Sequence, residues 1–252
     1  MNIISIANQK GGVGKTTVSV NLASALKELK KKVLLIDMDP QGNSTTGIGI
    51  DKKNLYYSVY DLMADNTDFS KIMIRTVSGV DVIPSEVELS SFDINFYSKP
   101  NKEFLLKDKI SNLKYDYIII DCPPSLGLLN LNALVASNFV VIPIQCEFYA
   151  LEGVSQMINT INLIKTKLNP KLELGGILIN MFDPWIRIQR EILKELENHF
   201  SNKILKTFLK KNVRLTEASS YGMPINLYEE NSKGHKAFMD IAKEVIKLGI
   251  SK

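Results

Sequence analysis

Residues 10–17 read KGGVGKTT. They stand between a short apolar run, Ile3-Ile4-Ser5-Ile6-Ala7, and a stretch with Val18, Leu22, Ala25, Leu26 and Leu29 at helical spacing. A strand, a glycine-rich turn and a helix in that order form a loop suited to phosphate. Gly11, Gly12 and Gly14 carry no Cβ, so the backbone around Val13 can curl with its N–H groups pointing inward. A concave row of N–H groups at a helix N-terminus is an anion site, and the helix dipole strengthens it. Lys15 stands where a loop lysine reaches the β- and γ-phosphates, and Thr16 where a hydroxyl ligates Mg²⁺. Thr17 is placed to contact the α-phosphate.

The usual pattern of such loops, G-x-x-x-x-G-K-[ST], asks for glycine at position 9, and this chain has Gln9. The end of the loop, Gly14-Lys15-Thr16, is intact, and a second lysine, Lys10, opens it. Two further apolar runs end in acidic residues. Val33-Leu34-Leu35-Ile36 leads into Asp37-Met38-Asp39-Pro40, and Tyr117-Ile118-Ile119-Ile120 into Asp121-Cys122-Pro123-Pro124. Parallel strands covered on both faces read as continuous apolar runs, and ligands bind beyond their carboxyl ends. The loop and three aspartates are therefore expected in one crevice. Asp121 suits a carboxylate that holds Mg²⁺, directly or through a water, and Asp39 suits the group that orients an attacking water. Any one of these aspartates alone could be a helix cap.

KGGVGKTT, DMDPQGN and DCPPS together resemble the deviant Walker ATPases, and within them the ParA/Soj partition ATPases. IPIQCEFYALEG (142–153), KNVRLTEASSYGMPI (211–225) and Ser232-x-Gly234 extend the likeness over nearly the whole chain. The resemblance implies a slow, partner-stimulated ATPase that uses ATP and Mg²⁺. In it Lys10 reaches across a two-fold homodimer to the partner's nucleotide and acts catalytically with Lys15 and Asp39. A cation supplied in trans stabilises the charge that develops in phosphoryl transfer. The resemblance also places adenine near Asn212, whose amide can both donate and accept. Asn180 is a second candidate, although a buried turn asparagine explains it equally well.

The 252 residues, 45% of them hydrophobic, suffice for one α/β domain over 1–252 with a full core. The expected fold is a mostly parallel sheet with helices on both faces. Strands are expected at 2–7, 33–37, near 80–83, at 117–121, 139–144 and 173–180, with a short one near 203–208. Helices are expected at 16–30, 86–97, 101–113, 126–136, 151–168, 186–200 and 235–248, with short helices around Val59–Ala64. No apolar run reaches the ~18 residues of a spanning helix and no signal peptide is evident. Two cysteines in this setting fit a reducing cytoplasm, as small buried residues.

The net charge of +4 permits nucleic-acid binding without requiring it. No recognition motif is visible. The chain starts at the loop strand, so an operator-reading domain is not expected. Basic residues gather late, and the resemblance makes that region a phosphate-binding surface on the ATP-bound dimer, with Lys211 and Arg214 at matching positions. The family usually has Arg-Thr after the aspartate at Asp183. This chain reads Asp183-Pro184-Trp185-Ile186-Arg187, so that Arg187 or Arg190 would have to substitute. The expected partners are non-specific double-stranded DNA and a ParB-type centromere-binding protein, with the protein cytoplasmic and nucleoid-associated. The alternative is a MinD-like membrane-associated ATPase, which needs a basic amphipathic helix free to lie on lipid. A nitrogenase-type reductase, with Cys122 and Cys146 on an iron–sulfur cluster, is a further rival on the same fold.

Overall fold

The computed structural model describes residues 1–64 and 67–250. The chain builds β1 (Asn2–Ile6), α1 (Lys15–Glu28), β2 (Val33–Asp37), α2 (Asn43–Gly47), α3 (Val59–Ala64), α4 (Phe69–Ile72), β3 (Ile74–Arg75) and β4 (Asp81–Ile83). It continues with α5 (Phe92–Asn95), α6 (Leu105–Ile110), β5 (Tyr117–Asp121), α7 (Leu128–Ala136), β6 (Phe139–Ile144), α8 (Ala150–Lys167) and β7 (Glu173–Ile179). The last elements are α9 (Arg187–Phe200), α10 (Val213–Ser220), α11 (Ile225–Tyr228) and α12 (Lys233–Ile250).

One sheet has the order β3-β4-β2-β5-β1-β6-β7. All neighbours are parallel except the edge pair β3–β4. The continuous apolar runs are explained by burial on both faces. One face packs on α3, α6, α7, α8 and α9, and the other on α1, α10, α11 and α12. Registry sets the level at which the strands end. Asp121 pairs with Ile6 of β1 on one side and with Asp37 of β2 on the other, so three strands stop in one row.

Several local expectations change. The helix expected over 86–97 is a 3-10 turn, Val87–Ser91, followed by the short α5. Ser91 donates its hydroxyl to the carbonyl of Glu88 at 2.8 Å, the competition with backbone bonding that makes serine a poor helix interior. The helix expected over 101–113 shortens to a 3-10 turn at Lys102–Phe104 running into α6.

The strand expected near 203–208 is reduced to isolated bridges, Ile177 with Ile204 and Phe182 with Lys210. Glu244 of α12 explains the interruption. Its carboxylate accepts the N–H of Lys206 at 2.7 Å and of Thr207 at 2.9 Å, and the second of these is the donor that would follow Leu205 N–H in a ladder with β7. α10 and the two-residue β3 arise where no element was expected.

The apolar face of α12 is buried. Phe238, Ile241, Ala242 and Val245 belong to the core beside α1. Among the described residues, no helix is long and apolar enough to cross a membrane. Cys122 and Cys146 are also buried, at 1% exposure each, and burial raises both thiols, Cys146 to about 11. Neither stands where a cluster shared across a surface would need it.

Candidate functional site

The loop crosses the carboxyl end of the sheet between β1 and α1. Lys10, Gly11 and Gly12 are exposed, Val13 and Lys15 are buried, and Gly14, Thr16 and Thr17 lie between these extremes. Gly14 adopts φ +90°, in the left-handed region that favours glycine. A Cβ there would stand 2.3 Å from Nδ2 of Asn180. That amide donates to the Val13 carbonyl at 2.7 Å, and its Oδ1 accepts from the N–H of Met181 at 2.9 Å. Gln145, just past β6, donates to the carbonyl of Gly12 at 3.1 Å. Asn8 holds the entry, donating to Pro143 O and accepting from the N–H of Lys10. The loop is thus tied at its start, middle and end, and its helix contributes first-turn N–H groups that no helical carbonyl can satisfy.

Asp121 is fully buried and accepts three hydroxyl hydrogen bonds: Thr16 at 2.9 Å, Ser19 at 2.9 Å and Ser44 at 2.6 Å. Burial raises its pKa, and these hydroxyls oppose the rise. Asp37, its neighbour in the sheet, is raised by burial and then by the charge of Asp121. Lys15 is lowered by burial, while Asp121 and Asp39 favour its charged form. Its Nζ donates to the carbonyl of Lys10 at 3.1 Å. A buried lysine beside a buried aspartate row, with a threonine hydroxyl on the carboxylate, is a hard-oxygen and cation set suited to Mg²⁺ and phosphate.

Asp39 is mostly buried and accepts from the N–H of Gln41 at 2.9 Å, while Ser85 donates to its carbonyl at 2.7 Å. Asp37 shapes this turn. It accepts from the N–H and the hydroxyl of Thr45, each at 2.8 Å, and from the N–H of Asp39 at 3.1 Å. Reasoning from sequence assigned no role to Asp37, Ser19 or Ser44. Ser19 had a signal, since it lies one helical turn after Thr16 and shares its face. Ser44 had none, because its bond to Asp121 joins segments 77 residues apart.

Lys10 forms an exposed ion pair with Glu147 of its own chain. Asn212 caps α10, accepting from the N–H of Arg214 at 3.0 Å. It lines a cavity of about 620 Å³ with Leu209, Lys211, Arg214 and Gly234. Asn180 and Asn212 therefore stand apart in role, the first holding the loop and the second facing a cavity.

Of the basic candidates, Arg187 pairs with Glu191 at 2.7 Å and Arg214 with Glu217 at 2.8 Å. Arg190 donates to the carbonyl of Pro184 at 2.6 Å, and Lys211 is exposed. The bond from the N–H of Phe182 to Leu209 O, 2.9 Å, runs the two segments that carry them side by side.

Residues 1–174 match a family described as an AAA domain. The chain is 48% identical over 246 residues to the sporulation initiation inhibitor protein Soj of Bacillus subtilis, covering 96% of this chain and 97% of that one. It is 43% identical over 248 residues to the chromosome partitioning protein ParA of Myxococcus xanthus, covering 97% and 88%. Among solved structures, cobyrinic acid a,c-diamide synthase from Mycobacterium smegmatis, with a bound ATP analogue and magnesium, superposes with a TM-score of 0.88. That pair is 31% identical, with 98% of this chain and 94% of the other covered. With the loop, the aspartate row and relatives this similar over nearly their full length, the chain belongs to the Soj/ParA family of chromosome-partitioning ATPases.

Proposed function

We propose that the chain is a single ATPase domain that works as a DNA-segregation switch, with ATP controlling a dimer and the dimer controlling DNA binding. The observation that carries the reading is the hydrogen bond of Thr16 to Asp121 in the row where β1, β2 and β5 end, with the charges of Asp121 and Asp39 acting on the buried Lys15 and with Lys10 exposed at the mouth of the loop. Gly11, Gly12, Val13, Gly14, Lys15, Thr16 and Thr17 would hold the phosphates. Thr16 and Asp121 would hold Mg²⁺, the carboxylate directly or through a water. Bound there, the ion would neutralise charge that develops in phosphoryl transfer. Asp39, tethered by Gln41 on a turn braced through Asp37, orients the attacking water. Asn212 would read adenine from its cavity, while Asn180 supports the site by fixing the loop.

Lys10 is the lysine given to the partner subunit. Its present partner, Glu147, is half-exposed, so the pair contributes little and can be exchanged for phosphate oxygens. The ATP dimer then binds duplex DNA without sequence preference through Arg187, Arg190, Lys211 and Arg214. A ParB-type protein stimulates hydrolysis and releases it, in the cytoplasm and over the nucleoid.

The burial of the apolar face of α12 favours this reading over a membrane-associated ATPase. The test is retention of duplex DNA against salt concentration with ATP, ADP and no nucleotide, for wild type and Arg214→Ala. Retention should require ATP, and Arg214→Ala should lower the log–log salt slope by about 0.9 for each phosphate it leaves without a cation. Equal retention in all nucleotide states refutes the switch.

A further inference from the structure

The turn between β7 and α9 presents the only tryptophan of the chain to solvent. Trp185 is 89% exposed, and Ile186 and Ile188 beside it are 42% and 53% exposed. An indole left in water forgoes one of the largest burial gains available to a side chain. The turn that carries it is braced. Pro184 fixes its own φ. Asp183 accepts from the N–H of Trp185 at 2.9 Å and, through its carbonyl, from the N–H of Ile186 at 3.2 Å. Gln189 accepts from the N–H of Asp183 at 2.8 Å, and Arg190 donates to the carbonyl of Pro184 at 2.6 Å. A large apolar group on a pre-ordered turn loses little entropy when it binds.

The surroundings favour a polyanion. Arg187 and Arg190 follow on α9, and the Phe182–Leu209 bond lays the segment bearing Lys211 alongside. Asp183 is engaged within the turn. Glu191 is engaged with Arg187 in an exposed pair, a kind that contributes little and that a phosphate can replace.

We infer that Trp185 is an apolar contact to duplex DNA, inserted against the bases while Arg187 and Arg190 take flanking phosphates. The inference rests on the DNA-binding reading given above. Apolar side chains wedge between base steps of a duplex, and a π face accepts any base. Binding would then gain a part that salt does not weaken while remaining independent of sequence.

The emission of Trp185 reports on this residue alone. Full-length protein with ATP and Mg²⁺ is titrated with a short random-sequence duplex, with retention measured in parallel. The expected result is quenching in step with retention. Trp185→Ala should bind about tenfold more weakly at every salt concentration with an unchanged slope. Trp185→Phe should recover most of the affinity, and Arg187→Ala should lower the slope by about 0.9. Equal binding by Trp185→Ala with unquenched wild-type emission overturns the inference alone. So does an emission change with ATP before any DNA, together with a Trp185→Ala protein that fails to dimerise, which makes the patch a contact between copies. A blue shift on phosphatidylglycerol vesicles without a response to duplex overturns it in favour of lipid. A wild type that binds no duplex in any nucleotide state removes the DNA reading and the inference together.

Discussion

Replacing Gly14 with alanine tests whether the loop is fixed by its own backbone or by Asn180. Gly14 holds φ at +90°, and an L-residue in left-handed backbone costs about 1–2 kcal/mol. The added Cβ would lie 2.3 Å from Asn180 Nδ2. The amide can move away only by giving up its 2.7 Å bond to Val13 O, which leaves buried polar groups unpaired at about 1–3 kcal/mol. The sum is a destabilisation of about 2–5 kcal/mol, read by urea unfolding without nucleotide. A double-mutant cycle separates the parts. Asn180→Ala removes the obstructing amide, so in its background Gly14→Ala should cost only the backbone share, about 1–2 kcal/mol. The coupling between the two sites should therefore be about 1–3 kcal/mol. If Gly14→Ala costs the same in both backgrounds, or if it costs under about 0.5 kcal/mol, the proximity of Asn180 does not explain the glycine.

Asp39→Ala should keep ATP binding while turnover falls by about 10²–10⁴-fold, leaving a DNA-retained dimer; single-turnover hydrolysis checks this. Glu147→Gln should free Lys10 and strengthen the ATP dimer by up to about fivefold per pair released, measured by sedimentation, and a weaker dimer would mean that Glu147 serves the assembled state. Cys122 and Cys146 should resist iodoacetamide at about pH 8 in the native protein and react after denaturation, since burial raises both thiols. Asp121 is raised by burial to about 6, so its contribution to stability is full below the ordinary carboxylate value and is lost as pH rises through about 6. Asp121→Asn should therefore gain in urea midpoint relative to wild type between about pH 4 and pH 7, while losing Mg²⁺-dependent hydrolysis. A pH-independent difference would show that desolvation of this carboxylate is not felt.

The parts of the molecule legible in the sequence are those governed by short-range rules. An apolar run with no alternation reads as a doubly covered strand, and glycines before a lysine and a threonine read as a turn into a helix. Those rules suffice to bring the start of the loop and the aspartate-bearing turns together, because β1, β2 and β5 end in one row at Ile6, Asp37 and Asp121. What was not legible depends on bonds between distant segments. Ser44 reaches Asp121 across 77 residues, and Glu244 takes the N–H groups of Lys206 and Thr207 from 38 and 37 residues away. No periodicity in 203–208 reports that an acid on α12 interrupts the ladder. The helix expected over 86–97 fails for a local reason, the serine at 91 that bonds back to Glu88.

Lys10 joins the loop to the rest of the chain through Glu147. Its spacing from Lys15 marks the loop as unusual, and only the resemblance to partition ATPases assigns it to a partner subunit. The geometry adds a link that neither contained. The lysine is held within its own chain by Glu147, on the segment that follows β6, while Lys15 donates to the carbonyl of Lys10 itself. The two lysines of the loop are therefore linked, one through its backbone and one through its side chain. Under the proposed role of Lys10, a phosphate that draws Lys15 away from that carbonyl would act on the residue whose side chain has to leave Glu147. Both interactions are of a kind that exchanges at small cost, one a half-exposed ion pair and the other a single hydrogen bond, so under the proposed function neither would hold its lysine back from phosphate.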